Sequence, residues 1–311
     1  MFAVTPHGPR ELSPAADAAL PRRALLADRA ALAAALAPHV GPLRDARLVA
    51  WRPGRRAVVR VDAGDGATWW LKLLDGRGHR RAARLFAALG EGLPPMALCA
   101  PTAMLPEFGA HLAPHARGTA LRTLLQRGDA PALPTLCRSL LALGCTAMGG
   151  RVPRIDFAAA RDAAVGMLEK GAAAEPGLAA LAARIAALPD LPLAGLPAFV
   201  HGDLHDKQVF LHQDGAAVID LEGAGCGDAR VDLVNLAEHL RLRELQQGSA
   251  DSGFGDRVLA RCGIDPEARD TLAFRAVVRA RLCGVYALRP RWAALVTRLR
   301  RELDSLLDRQ P

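Results

Sequence analysis

The 311-residue sequence lacks the features that mark secreted, disulfide-rich or membrane-spanning chains. No run approaches the roughly 18 consecutive apolar residues of a membrane span. The first residues, MFAVTPHGPREL, do not show the basic region and apolar stretch of a secretory signal. The six cysteines include no CxxC pair, which disfavours both a disulfide framework and a zinc site. These absences predict a cytoplasmic protein with no membrane segment.

Aromatic side chains are also scarce, with a single tyrosine in the chain, whereas positive charge is plentiful. The net charge is +8, from 40 basic and 32 acidic residues, and no block of basic residues forms a tail. Such a balance is compatible with nucleic-acid binding. It is equally compatible with an Arg- and Ala-rich composition and a site that holds phosphates. Because few aromatics are present to stack on bases, the second interpretation is favoured and no specific nucleic-acid partner is predicted.

The hydrophobic fraction of 51% is ample for a packed core, and the length favours two lobes. Residues 1–45 are Ala-rich and predict helix. Changes in hydrophobic period then predict strands, followed by mostly helical segments and one hairpin. The predicted strands cover 47–51, 56–62, 68–74, 102–105 and 111–113. The predicted helices cover 79–90, 119–127, 131–148, 156–170 and 176–188, with a hairpin at 208–221 and three or four further helices over 228–309.

Strands early in the chain and helices late in it predict an α+β protein. A small N-lobe, residues 1–110, would contain a helical N-terminal extension and the nucleotide-binding sheet. The larger C-lobe, residues 111–311, would be mainly helical.

Chemistry-bearing residues are concentrated between His201 and Asp232. Phosphoryl transfer needs Mg²⁺, which prefers carboxylate, phosphate and water oxygens, and a carboxylate that receives or orients the proton of the attacking hydroxyl. Asp203 precedes the predicted hairpin and Asp220 lies at the end of its returning strand, so both carboxylates are expected at one edge. Gln208 stands five residues after Asp203, where kinases place the Asn that binds a second metal ion.

The run HGDLHDKQVFLHQDGAAVIDLEGAGCGDARVDLVNL resembles the catalytic and metal-binding segments of the aminoglycoside phosphotransferase family. That family also includes choline-kinase-like, homoserine-kinase-like and maltokinase-like enzymes. The resemblance implies a protein-kinase-like bilobal fold and ATP-dependent phosphorylation of a hydroxyl on a small molecule. It further implies that Asp203 is the catalytic base, that Asp220 binds Mg²⁺, and that Asp232 stabilises the catalytic loop through hydrogen bonds.

Weaker similarities extend the expected nucleotide site into the N-lobe. Lys72 is the one charge in an apolar strand, and it is expected to reach the α- and β-phosphates, although it is also compatible with a snorkelling edge lysine. Arg55 lies in a turn placed where a phosphate-covering turn would lie. Gly118, in the Arg117–Gly118 turn, resembles the segment that follows the adenine-contacting linker.

Two departures from the family pattern stand out. Gln208 replaces the usual Asn and is one methylene longer, while Glu222 supplies an acid two residues after Asp220, as in maltokinase-like members. The helix predicted at 79–90 contains no carboxylate, whereas kinases pair the strand lysine with a Glu from this helix. These departures motivate an alternative, a catalytically impaired pseudokinase that acts as a nucleotide- or partner-binding module.

His201 and His205 flank Asp203, a pattern also compatible with a zinc or iron hydrolase. No further ligands follow at a recognisable spacing, so His201 is instead expected to orient the loop by hydrogen bonds to the backbone.

The acceptor is the part of the function that the residues specify least. A polycationic aminoglycoside would need an acidic cleft, for which Asp206 and Glu238 are candidate substrate residues. The C-terminal helices, however, carry many arginines: Arg275, Arg279, Arg281, Arg289 and Arg291. The predicted acceptor is a sugar-like or aminoglycoside-like small molecule, and a neutral or anionic hydroxylated compound such as a sugar fits these charges better.

Overall fold

A computed structural model of the chain describes residues 2–5, 8–11, 17–20, 26–89, 101–129, 132–146 and 152–309. Contacts divide it into two compact units. The first comprises the described residues up to 89 together with 101–117, and the second comprises the described residues from 118 onward. Within these residues, no helix combines the length and the apolar character needed to cross a membrane.

The N-terminal segment differs from the helix predicted over residues 1–45. It contains two antiparallel strands, β1 (Phe2–Thr5) and β2 (Gly8–Glu11), and a helix α1 (Arg29–Val40). Prolines at 6 and 9 disfavour a helix interior because each removes a backbone N–H donor. The parts of the predicted helix at 12–16 and 21–25 lie outside the described residues.

A five-stranded antiparallel sheet forms the first unit, in the order β3-β4-β5-β7-β6. All five predicted strands are confirmed within a few residues at their ends. Their bounds are β3 (Leu43–Arg52), β4 (Arg56–Ala63), β5 (Thr68–Leu74), β6 (Ala103–Leu105) and β7 (Ala110–Pro114). The β3–β4 turn is held by Asp17, whose Oδ2 accepts hydrogen bonds from the Gly54 N–H at 2.8 Å and the Trp51 Nε1–H at 3.0 Å.

Successive side chains along β4 and β5 point to opposite faces of this sheet. Val59 and Val61 lie on the face that packs into the core with Leu36 of α1, and Leu71 and Leu73 continue this face on β5. Lys72, between those two leucines, therefore belongs to the opposite face.

Helix α2 (Gly76–Leu89) packs on the face that carries Lys72. His111 of β7 is the cross-strand neighbour of Lys72, and its ring meets the ring of Phe86 of α2 edge-on at 5.5 Å. The helix begins three residues earlier than predicted because the carboxylate of Asp75 accepts the Gly78 N–H at 2.6 Å, as N-terminal capping requires. Its predicted last residue, Gly90, lies outside the described residues.

The division between the units falls at 117/118 rather than at the predicted 110/111. Strand β7 begins at Ala110 and pairs with β5 as far as Pro114, so the sheet continues past the predicted boundary.

The second unit is mainly helical. Its eight helices within the described residues are α3 (Leu121–Arg127), α4 (Leu133–Gly144), α5 (Phe157–Ala172), α6 (Leu178–Ala186), α7 (Arg230–Gln247), α8 (Phe254–Arg261), α9 (Arg269–Ala287) and α10 (Ala293–Asp308). Helix α9 lies among α5, α6, α7 and α10 and is buried over most of its length. The predicted helices are confirmed, although residues 131 and 147–148 of one prediction lie outside the described residues.

Two small sheets accompany these helices. One has the order β10-β13-β9, and the other has the order β12-β11-β8. Their strands are β8 (Thr119–Ala120), β9 (Arg154–Ile155), β10 (Ala198–Val200), β11 (Val209–His212), β12 (Gly215–Val218) and β13 (Gly225–Gly227). The predicted hairpin is β11–β12. The segment between β10 and β11, residues 201–208, is the 201–208 loop.

Candidate active site

The 201–208 loop lies against one face of helix α7. This face, the α7 polar face, consists of Asp232, Asn235, His239 and Arg243. Intervals of three and four residues place these side chains on the same side of a helix. Each of the four contacts a different part of the loop, in order along the chain, so the helix positions the loop from its first residue to its sixth.

Asp232 holds the first two residues of the loop. Its Oδ2 accepts the backbone N–H of His201 at 2.6 Å, and its Oδ1 accepts that of Gly202 at 2.9 Å. Burial raises the pKa of this carboxyl, while the two N–H donors and the nearby imidazole of His201 act in the opposite direction. Both orphan donors at the start of the loop are thereby satisfied.

Asn235 and Arg281 together orient Asp203. The Asn235 Nδ2 donates to the Leu204 carbonyl at 2.7 Å, and its Oδ1 accepts from Arg281 Nη2 at 2.8 Å. The same guanidinium nitrogen of α9 donates to Asp203 Oδ1 at 3.0 Å. The Asp203 side chain keeps about half of its surface, 51%, accessible. The loop thus presents one carboxylate that is oriented by a cation and still open to a ligand.

Arg243 holds Asp206. Its Nε donates to Asp206 Oδ2 at 2.7 Å and its Nη2 donates to Oδ1 at 3.2 Å, which makes a bidentate ion pair. The carboxylate of Asp206 is fully buried, and its backbone carbonyl accepts the N–H of Arg122 at 2.9 Å. The acid predicted to contact a cationic acceptor is therefore buried and neutralised inside the protein.

His201 links the loop to the end of strand β12. Its Nδ1 accepts the Asp203 N–H at 3.3 Å, so the proton lies on Nε2, which donates to the Ile219 carbonyl at 2.9 Å. The Ile219 N–H in turn donates to the Gln208 carbonyl at 3.0 Å. Ile219 is thus hydrogen-bonded to both ends of the loop, His201 and Gln208. Asp220, the predicted metal ligand, is the next residue in the chain.

Asp220 has a left-handed backbone, with φ +70°. Within the described residues it is the one residue other than glycine with positive φ. Aspartate and asparagine adopt this conformation more readily than most residues. The sequence thus places a tolerant residue type at a strained position, which is typical of functional sites.

Gln208 is buried, and its Oε1 accepts the N–H of His205 at 3.1 Å. The side-chain carbonyl oxygen of Gln208 therefore closes the turn of the loop. The role of Gln208 as a second metal ligand stays a prediction. Glu222 lies in the single helical turn that follows Asp220, and both are partly exposed.

The donors at this end of the hairpin fit Mg²⁺. Asp220 and Glu222 offer hard carboxylate oxygens, and within the described part of the chain no group of three His, Cys, Asp or Glu side chains forms a complete metal site. Mg²⁺ is commonly held by one or two carboxylates, with phosphate and water completing its shell, rather than by an all-protein cage. The residues present match that mode of binding.

The predicted nucleotide contacts lie in different places. Lys72 is on β5 of the first unit, and Arg55 is exposed in the β3–β4 turn, where its carbonyl accepts the Asp75 N–H at 2.9 Å. Gly118 belongs to the second unit, with φ +95°, and a Cβ there would lie 2.1 Å from the Leu211 carbonyl oxygen. Gly118 therefore allows β8 to pair with β11, a structural role that is independent of any nucleotide contact.

Glu238, the second predicted substrate residue, is only 2% exposed. Its Oε1 accepts from Arg275 Nε at 2.7 Å, and its Oε2 accepts from Arg279 Nη2 at 2.6 Å. A carboxylate enclosed in this way joins α7 to α9 and is not available to an acceptor. The same contacts remove two of the C-terminal arginines from consideration as acceptor ligands.

Four residues of the site were not identified from the sequence: Asn235, His239, Arg243 and Arg281. For the first three, a signal was present, because they continue the helical spacing from Asp232 beneath an adjacent loop. Arg281 carried no comparable signal, since it is 78 positions from Asp203 and its partner is decided by how α9 packs.

Known proteins share sequence and fold features with this chain. A sequence model described as the phosphotransferase enzyme family matches residues 19–274, which is most of the chain. The chain belongs to this phosphotransferase family. The predicted family and the predicted α+β, protein-kinase-like fold are both confirmed.

Solved structures share the fold of this phosphotransferase at low sequence identity. A thermostable mutant of aminoglycoside phosphotransferase APH(4)-Ia, in a complex with ADP and hygromycin B, has 14% identity and a TM-score of 0.55, covering 89% of this chain and 98% of its own. A choline/ethanolamine kinase family protein from Mesorhizobium loti has 19% identity and a TM-score of 0.52, covering 90% and 91%. Macrolide 2'-phosphotransferase MphH from Brachybacterium faecium has 19% identity and a TM-score of 0.52, covering 91% and 98%. No curated protein sequence matches significantly.

Two histidines of the site, His205 and His239, have ring centres 4.9 Å apart and predict acid sensitivity of the fold. Burial lowers the pKa of His239 well below its usual 6.5, nearby cations lower it further, and burial also lowers the pKa of His205. Both imidazoles therefore bind a proton less readily in the folded protein than in the unfolded chain. As pH falls through about 6.5, the unfolded chain binds protons that the folded chain does not, so the free energy of unfolding falls, by at most about 1.4 kcal/mol per pH unit for each histidine.

Urea unfolding between about pH 7.5 and pH 5.5 measures this effect. His239→Leu is expected to lose less stability over this interval than the unmodified protein does. His39→Gln alters an exposed histidine and is expected to keep the original pH dependence. An unchanged pH dependence in His239→Leu would contradict the assignment.

Proposed function

We propose that this phosphotransferase uses ATP and Mg²⁺ to phosphorylate a hydroxyl group of a small molecule. Membership of the family supports phosphoryl transfer. The related fold of an enzyme crystallised with ADP and hygromycin B supports a nucleotide and a small-molecule acceptor.

The observation that carries the proposal is the environment of Asp203. The 201–208 loop is bound to the α7 polar face on both sides of this residue, through Gly202 and Leu204, while the Asp203 carboxylate itself remains half exposed. Precise positioning of one accessible carboxylate is what a general base for a hydroxyl acceptor requires, because phosphoryl transfer depends mainly on positioning and charge stabilisation.

The proposed roles follow from these positions. Asp203 receives the proton of the attacking hydroxyl, and Arg281 keeps its carboxylate in one orientation. Asp220, with Glu222, would hold Mg²⁺, which neutralises charge on the nucleotide phosphates. Lys72 would contact the α- and β-phosphates.

Nucleotide-dependent stabilisation tests the metal assignment. A ligand at about a hundred times its dissociation constant stabilises the folded state by about 2.7 kcal/mol, which shifts the thermal midpoint visibly. Mg²⁺ together with ATP is expected to raise the midpoint more than ATP alone. Asp220→Asn should abolish this Mg²⁺ dependence, because it removes the charge but retains a residue type that tolerates the left-handed backbone.

The matched control is Asp214→Asn, an exposed carboxylate in the turn of the same hairpin. It is expected to keep the full Mg²⁺ dependence. Equal stabilisation of Asp220→Asn and the unmodified protein would remove Asp220 from the metal site, and no stabilisation of either by any nucleotide would overturn the proposed function. Transfer of γ-³²P from ATP to a panel of sugars, sugar phosphates, amino alcohols and aminoglycosides then tests for turnover.

A pseudokinase is the second candidate. Two observations favour it: α2 contains no carboxylate, and the side-chain carbonyl of Gln208 is directed at the loop backbone. Such a protein would bind Mg²⁺ and nucleotide but transfer no phosphate to any acceptor in the panel. Turnover that is lost in Asp203→Asn would exclude it.

A further inference from the structure

Three cationic residues lie in or are linked to the 201–208 loop: Lys207, Arg122 and Arg289. These three residues are the cationic cluster. Lys207 directly follows Asp206 and is exposed, and Arg122 donates its backbone N–H to the Asp206 carbonyl at 2.9 Å.

Arg289 is linked to the loop through a chain of contacts. Arg243 binds Asp206 and donates to Gln246, whose Nε2 donates to the Tyr286 hydroxyl at 2.9 Å. The guanidinium of Arg289 lies over the Tyr286 ring, 5.0 Å from its centre. The arginine is therefore anchored by an aromatic face and exposed at its outer side.

The carboxylate adjacent in sequence to this cluster is already engaged. Asp206 directly precedes Lys207, and both of its carboxylate oxygens are bound by Arg243. Among the described residues, no carboxylate forms an ion pair with a side chain of the cationic cluster. Burial lowers the pKa of Lys207, and Arg122, Arg243 and Arg289 lower it further, while Asp206 acts in the opposite direction. The cations around Lys207 therefore outnumber the carboxylates.

We propose that the cationic cluster binds an anionic group, a phosphate or a carboxylate, of the hydroxylated acceptor. This inference rests on the proposed function and specifies its substrate class. Asp203, four positions before Lys207, would receive the hydroxyl proton of the same molecule. Polycationic acceptors are correspondingly disfavoured, because uncompensated positive charge repels them.

Two other anions are distinguishable from an anionic acceptor. If the cluster instead binds the phosphates of the nucleotide, variants of the cluster would weaken ADP binding. A nucleic acid would bind without sequence preference and would not require a hydroxylated small molecule.

The test measures binding without nucleotide, by titration calorimetry, for four compounds that share one carbon skeleton. These are glucose, glucose 6-phosphate, gluconate and glucosamine, and inorganic phosphate serves as the simplest anion. Glucose 6-phosphate or gluconate is expected to bind at least about tenfold more tightly than glucose, and glucosamine no better than glucose. The stronger of the two anions identifies the group as phosphate or carboxylate.

Lys207→Gln and Arg289→Gln are each expected to weaken anion binding by about tenfold, the effect of losing one charge-assisted contact. Arg291→Gln is the matched control, since Arg291 is exposed two positions away and lies over Trp292 instead. It should bind the anions as the unmodified protein does, and all three variants should retain Mg²⁺–ADP binding.

Failure of this inference and failure of the proposed function give different results. Equal binding of glucose and its anionic forms, absence of anion binding, or tighter binding of glucosamine would overturn the anionic acceptor even if phosphate is transferred. Unchanged anion affinity in both variants, or an equal loss of Mg²⁺–ADP affinity, would also overturn it. Anion binding that depends on the cluster, with no phosphoryl transfer to any acceptor, would support the anion site and reject the proposed enzyme.

Discussion

Asp203→Asn is expected to lower kcat by about 100- to 10,000-fold, the range over which a general base contributes. The variant keeps an oxygen at the position that accepts the Arg281 hydrogen bond, so the geometry of the loop is preserved. Because the lost interaction operates in the transition state, kcat and kcat/KM should fall together. Stabilisation by Mg²⁺ and ADP should remain.

Steady-state transfer of γ-³²P to the best acceptor of the panel measures this effect, with thermal unfolding in Mg²⁺–ADP as the companion measurement. Asp214→Asn again serves as a control with an exposed carboxylate and should turn over normally. A variant at Asp203 that loses nucleotide binding, or that retains full turnover, would contradict its assignment as the base.

Glu238→Ala is expected to destabilise the fold by about 3–5 kcal/mol, which is a large part of the stability of most domains. The substitution removes the carboxylate that both Arg275 and Arg279 bind, and Arg279 is itself buried. Each arginine keeps only a more exposed partner, Asp256 for Arg275 and Glu302 for Arg279. Removing one member of a buried ion pair is costly because the remaining charge stays desolvated.

Urea unfolding at neutral pH measures the loss, and Asp308→Ala provides the contrast. Asp308 pairs with Arg184 at 2.7 Å, but both side chains are largely exposed, so this variant should lose about 0–1 kcal/mol. If Glu238→Ala and Asp308→Ala lower the free energy of unfolding by similar amounts, the burial of the Glu238 ion pairs between α7 and α9 contributes little.

Local patterns in the sequence predicted most of the fold. The five strands around Lys72, the β11–β12 hairpin and the four C-terminal helices all follow from hydrophobic period and turn residues, which report on neighbours along the chain. The two N-terminal strands were not predicted, because the Ala-rich composition of residues 1–45 was given more weight than the prolines within that segment. The boundary between the lobes was placed before the strand predicted at 111–113, because the pairing of β7 with β5 joins residues that are distant in sequence.

The chemistry of the site was less predictable, because a side chain does not reveal its partner. Asp206 and Glu238 were interpreted as open acids, whereas each is buried against arginines from elsewhere in the chain. Conversely, Arg281 was counted only as part of a general positive charge, although it binds Asp203. Ionic partners separated by 37 to 78 positions depend on helix packing, which local patterns do not encode.

The dependence of the 201–208 loop on α7 has a consequence for how the protein unfolds. Surface loops generally open by themselves, at low free-energy cost, and exchange their amide hydrogens rapidly. The amides of His201 and Gly202 instead donate to a buried carboxylate of a long helix, which is packed against α9. Their exchange is therefore coupled to the separation of α7 from the loop, and the segment belongs to the same cooperative unit as the helical core.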